Sequence, residues 1–169
     1  MRLGDESWFV LDALRSTGVH RYRLHWLFPA MPYAWDAHTG CLTLYTPAGP
    51  YHIQLAALSG QGCSSLVRAD EHSPRGWRAP YYNYREPALS VDLGQEGHTV
   101  WFGTLFGPEV GSLVNDTRTV HIGTPSWDVS LQLQRYMQEP LITAIRAVGA
   151  LEDRLALLDT SALDDATTL

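Results

Sequence analysis

The sequence predicts an all-β protein: an antiparallel β-sandwich with a C-terminal amphipathic helix. Three observations predict it. Short apolar runs alternate with polar residues at period two. Gly and Pro punctuate these runs at short intervals. From Leu141 to Leu158 the pattern changes, and apolar residues recur at spacings of three and four. At 169 residues the chain can bury one sizeable core. Its organisation reads as a sandwich over residues 1–139, with a helix and acidic tail over 140–169 that packs on or trails the same domain.

The elements follow in chain order. Trp8 to Asp12 is an apolar run rich in β-formers, and His20 to Phe28 alternates before turning apolar. Ser16-Thr17-Gly18 between them is turn chemistry, so the pair reads as a hairpin ended by Pro29 and Pro32. Cys41 to Thr46 alternates and stops at Pro47-Ala48-Gly49-Pro50, and Tyr51 to Ala56 follows at once. Ala88 to Leu93 alternates cleanly, and Gly94 to Gly97 is expected to turn it into His98 to Phe106. Val120 to Ile122 and Val129 to Leu133 are weaker strands. Alternation of this kind gives each sheet one wet face. The expected core holds Trp8, Val10, Leu24, Trp26, Leu42, Leu44, Leu89, Val91, Val100 and Phe102. In the last segment Leu141, Ile145, Val148, Leu151, Leu155 and Leu158 form the helix stripe, with Pro140 in its first turn.

A net charge of −6 argues against a general nucleic-acid binder, since phosphate binding needs a basic excess. No apolar run reaches the 18 residues of a membrane helix, and the N-terminus carries acids where a signal peptide needs an apolar core. Cys41 and Cys63 are 22 residues apart and outside any CxxC motif, which favours buried or free thiols over a bridge. The seven histidines form no HxH or HExxH pair, so neither metal nor cofactor is expected. No nucleophile elbow, phosphate loop or dinucleotide fingerprint occurs. The sequence contains no self-sufficient catalytic motif.

One segment is chemically unusual. Arg75, Trp77, Arg78, Tyr81, Tyr82, Tyr84 and Arg85 fall within eleven residues. Aromatic faces stack on sugar rings, and arginine forks clamp carboxylates or sulfates. The seven are therefore candidate substrate-binding residues for an acidic polysaccharide. The competing reading is a plug, in which Trp and Tyr pin a long crossover by packing. The binding reading expects all seven to be partly exposed, and the plug reading expects Trp77 and at least one tyrosine to be buried. The favoured expectation is burial of Trp77 and Tyr82, with exposure of Arg75 and Tyr84.

The strings WFVLDALRSTGVHRYRLHWLFP and RGWRAPYYNYREPALSVDL resemble the later β-sandwich segment of heparinase II/III-like proteins, over roughly residues 7–106. Full-length members join an α/α toroid to β-sheet domains and are lyases of uronic-acid polymers. Their catalytic and zinc histidines lie in GHxHxD-type and HNT-type motifs, and neither string occurs here. No catalytic residue carries over. The resemblance implies a non-catalytic C-terminal sandwich domain that supports an upstream catalytic toroid and contacts acidic polysaccharide. The alternative is a free-standing carbohydrate-binding module that uses the loop at 75–85.

Overall fold

The computed structural model describes residues 2–3, 6–116, 119–136 and 139–149; at 133–145 and 147–149 it describes the strands alone. All of its regular structure is β, and every strand pairing is antiparallel. The strands are β1 (Arg2–Leu3), β2 (Ser7–Pro29), β3 (Tyr33–Asp36), β4 (Cys41–Thr46), β5 (Gly49–Ala57), β6 (Cys63–Arg68), β7 (Trp77–Tyr81), β8 (Tyr84–Gly107), β9 (Ser112–Asp116), β10 (Thr119–Gly123), β11 (Trp127–Tyr136) and β12 (Glu139–Gly149). One sheet runs β1-β2-β8-β5-β4-β3, with β6 and β7 also paired to β8; a second runs β12-β11-β10-β9. Among the described residues no helix is long and apolar enough to cross a membrane.

The framework is a ribbon of two long strands, β2 and β8. Both turn signals expected within them are absorbed. Arg15 is opposite Thr99 and His20 is opposite Gly97, so Ser16–Val19 bulge out at one register shift against His98 alone, while Gly94–Gly97 stay in the ladder opposite Arg23–His20. The strands do not reverse there, because each keeps its ladder with the other on both sides of the shift. Bulged residues in the ladder let a strand bend without ending. The expected hairpin at Ser16–Gly18 and the expected turn at Gly94–Gly97 are both corrected to one continuous, bent ribbon.

The bend lets the ribbon close on itself. Leu89, Val91 and Leu93 from one half of β8, and Val100 and Phe102 from the other, join one core cluster with Leu42, Leu44, Ile53 and Leu55. A second cluster is shared by the two sheets. Phe9, Trp101 and Leu105 of the large sheet meet Val120, Ile122, Trp127, Val129 and Leu131 of the small one. β8 is consequently buried on both faces: all residues of Ala88–Leu93 and Trp101–Leu105 are buried, with apolar clusters on both sides of the second stretch and polar Ser90 and Asp92 on one side of the first. The expectation of one wet face fails for this central strand.

Of the expected core, Leu42, Leu44, Leu89, Val91, Val100 and Phe102 are buried, while Val10, Leu24 and Trp26 are half-buried. Trp8 is 49% exposed, and Phe9 takes the core position at 2%. The run Trp8-Phe9-Val10-Leu11 is apolar in both phases of the alternation, so the pattern cannot choose a phase. The register chooses it, by aligning Phe9 with Leu105.

The helix expected over Leu141–Leu158 is corrected over its described part. Residues up to Gly149 belong to strand β12, paired with β11 from Trp127↔Gly149 to Tyr136↔Glu139. Ile142, Thr143, Ile145 and Val148 are β-branched, which favours an extended chain beside an available edge. Residues 150–158 lie outside the described residues.

Candidate functional site

The segment of seven candidates is a hairpin. β7 pairs with the start of β8, with Trp77 opposite Pro87, Arg78 opposite Glu86 and Tyr81 opposite Tyr84. Tyr82 and Asn83 make the turn, where Asn83 adopts φ 58°, a left-handed conformation that Asn tolerates. The loop before the hairpin folds back at Gly76, whose φ is +80°. Its carbonyl accepts from the amides of both Ala69 (2.9 Å) and Ala88 (2.8 Å). Asp70 organises the same loop: its carboxylate accepts from the His72 amide, and its carbonyl accepts from Trp77 Nε1 at 3.0 Å.

Beneath the hairpin is a polar hub. Arg75 Nη1 lies 3.2 Å from Asp92 Oδ2 and donates to Ser65 Oγ at 2.9 Å. Its Nε donates to Ser90 Oγ at 3.2 Å, and its Nη2 donates to the Ser90 carbonyl at 3.0 Å. Ser65 Oγ donates to Asp92 Oδ1 at 2.6 Å. Ser90 and Asp92 sit on the face of β8 opposite Leu89 and Val91, and the Arg75 loop covers them. A buried carboxylate demands such pairing. Arg23 adds a longer contact, 3.9 Å from Asp92.

His25 completes the hub from β2. Its Nε2 is 2.8 Å from Ser90 Oγ. Burial pushes its pKa below the usual imidazole value, the positive charges of Arg23 and Arg75 push it further, and Asp92 opposes them. A neutral imidazole accepting the Ser90 proton suits this arrangement, because the hydroxyl already accepts from Arg75. Ser90 is fully buried, which suits a structural bond rather than attack on a substrate.

The seven candidates therefore separate. Arg75 is an anchor, with only 22% of its side chain exposed. Arg78 pairs with Glu86 across the strands. Arg85 lies over the Trp77 ring, 4.4 Å from its centroid, and Trp77 is half-buried. Tyr81 and Tyr84 stack at 4.8 Å with 14° between their planes. Tyr82 is 98% exposed. The plug reading thus describes Trp77 only in part and fails for Tyr82, which caps the turn. The expected exposure of Arg75 fails too, because the buried Asp92 demands a cation; the expected exposure of Tyr84 agrees with the structure. Sequence reasoning missed His25, Ser65, Ser90 and Asp92. A signal existed in Ser90-Val91-Asp92, which puts two polar residues on one strand face, but nothing local says that a distant loop covers that face.

A separate open groove of about 600 Å³ lies between the β3–β5 face and residues 110–113, lined by Trp35, Asp36, Cys41, Thr43 and Gln54 among others. None of the seven residues lines it. Burial pushes the Cys41 thiol up, away from a reactive thiolate. Cys41 and Cys63 are both free. Among the described residues no group of three His, Cys, Asp or Glu is placed to hold a metal ion. No protein-family model matches the chain, and no curated protein matches it.

Proposed function

We propose that this chain is a non-catalytic β-sandwich domain of a heparinase II/III-like polysaccharide lyase, which supports a catalytic domain and contacts its polysaccharide through the β7–β8 hairpin. The observation that carries the reading is the contrast between the hairpin's root and its tip. Its root is held by a buried ion pair and several hydrogen bonds, whereas Tyr82 at its tip is almost wholly exposed. A rigidly mounted, exposed aromatic is what a binding surface requires and what a plug does not. The core cluster shared by the two sheets supports the sandwich architecture. The resemblance of the hairpin sequence supports the family.

Supporting, rather than cleaving, also fits the chemistry. Lyase action needs a base for the proton beside the uronate carboxylate and groups that stabilise the charge that develops. The hub's histidine is engaged with a buried serine and flanked by cations, an environment that positions rather than abstracts. A second reading, a free-standing carbohydrate-binding module, is favoured by the three exposed tyrosines that the hairpin carries.

The test is to incubate the purified chain with heparin, heparan sulfate and alginate while following the absorbance of unsaturated uronates. Affinity electrophoresis in gels cast with the same polymers runs in parallel. The expected result is retardation without any rise in absorbance. A rise that survives further purification and vanishes on a single His or Tyr substitution overturns the non-catalytic assignment.

A further inference from the structure

Most of the charge that suggested a clamp for acidic groups is already matched within the fold, and Arg85 alone of the three arginines is exposed without an acidic partner among the contacts described. Arg75 is turned inward to Asp92, Arg78 is neutralised by Glu86, and Arg85 is laid on the ring of Trp77. What the hairpin turns outward is phenol: Tyr82 at 98%, Tyr81 at 65% and Tyr84 at 44% exposure. Tyr81 and Tyr84 hold each other's planes by stacking across the strand pair. Their orientation is therefore set before any ligand arrives, which lowers the entropy lost on binding. An aromatic ring has a negative face and a polar handle, and the face attracts the C–H bonds on the flat side of a pyranose. Hydroxyl groups around the sugar can then meet the phenol oxygens.

We propose that the hairpin binds sugar chains by stacking Tyr82 and its neighbours on the C–H faces of pyranose rings, and not by pairing with sugar carboxylates or sulfates. The proposal rests on the glycan-contact reading above and narrows its chemistry. A stacking platform is indifferent to whether the ring carries an acid, so neutral and acidic oligosaccharides bind alike, and salt has little effect.

The experiment titrates the full chain with two probes, a neutral β-1,4-linked glucose hexamer and a galacturonate hexamer, and follows backbone and ring resonances by NMR. The two dissociation constants are expected to agree within about threefold, with less than about a twofold change between roughly 0.02 and 0.5 M NaCl. Tyr82→Ala is expected to weaken both probes by about tenfold or more, and Tyr82→Phe, which keeps the ring, by less than about threefold. Because Tyr82 touches no core, an unchanged melting curve will accompany both variants. Binding of the galacturonate probe alone, lost on adding salt or on Arg78→Gln, overturns the stacking proposal while leaving glycan contact in place. Unaltered binding by Tyr82→Ala does the same. Failure of the folded wild-type chain to bind either probe overturns both readings.

Discussion

The indole nitrogen of Trp26 donates to the hydroxyl of Thr104 at 3.1 Å, although the two residues belong to opposite halves of the β2–β8 ribbon. In the ladder Trp26 is opposite Val91, and Thr104 is opposite Val10. The bond closes because the ribbon folds back at its register shift. The same fold brings the Trp26 ring edge-on to Phe106, with centroids 5.1 Å apart. Thr104 is fully buried. Thr104→Val keeps the shape but leaves the indole donor without its acceptor, and is expected to cost about 1 kcal/mol in denaturant unfolding. Thr104→Ser is expected to recover most of that loss, and an unaltered midpoint in the valine variant would count against the bond.

Arg75 and Asp92 should be strongly coupled. Arg75→Ala leaves a carboxylate that is 12% exposed without its main cation, and is expected to cost about 3 kcal/mol. Removing Asp92 as well, in Asp92→Ala/Arg75→Ala, should cost less than the sum of the two single changes. A double-mutant cycle reads this directly, and additive losses would contradict the hub.

The corrected phase at the start of β2 gives an unequal pair. Phe9→Ala opens a cavity in the shared core and is expected to cost about 3–5 kcal/mol. Trp8→Ala removes a half-exposed ring packed near Arg2 and should cost about 1 kcal/mol or less. Thermal melts of the two variants decide which residue occupies the core.

Gly76 is required for its backbone. At φ +80° a side chain is strained, and a Cβ there would collide with the Ala69 amide nitrogen. Gly76→Ala is expected to destabilise by about 2 kcal/mol and to loosen the loop that carries Arg75. Amide exchange at Ala69 and Ala88, the donors to Gly76, should accelerate before global unfolding does.

His25 adds a pH dependence with a definite sign. Its pKa is lowered in the folded state, first by burial and then by Arg23 and Arg75. Below 6.5 the unfolded chain takes up a proton that the folded chain resists, so stability falls as pH drops from 6.5 through the folded pKa and then levels. His52, whose pKa burial also lowers, contributes in the same direction. His25→Gln should flatten part of this slope, leaving the His52 part. An identical slope in the variant would show that His25 titrates as it does in the unfolded chain.

The strand-forming segments were legible in the chain, because period-two alternation and Gly/Pro punctuation are local properties. Cys41–Thr46 carries both and appears as β4 with those bounds. The concentration of Arg, Trp and Tyr at 75–85 was equally visible, and it does mark the most exposed aromatic surface on the large sheet.

What the alternation could not determine was where a strand ends, which phase faces inward and which charge is already matched. Ser16–Gly18 and Gly94–Gly97 look like turns in isolation, yet the first is a bulge with the ladder resuming on both sides and the second is paired with His20–Arg23. Phe9 is preferred to Trp8 only through Leu105, almost a hundred residues away in the chain. Leu141–Gly149 shows helical spacing, but an edge of β11 was there to be paired. Arg75 reads as a free cation until Asp92, across two strands, is placed beneath it. By itself the sequence determined the β-rich character of the chain and the place of its aromatic, cationic segment. Only the tertiary structure decided that Arg75 and Arg78 are ion-paired within the fold and that the tyrosines are left to solvent. The physical reason is that local propensity acts over a few residues, whereas partners for backbone edges, apolar faces and buried charges come from distant parts of the chain.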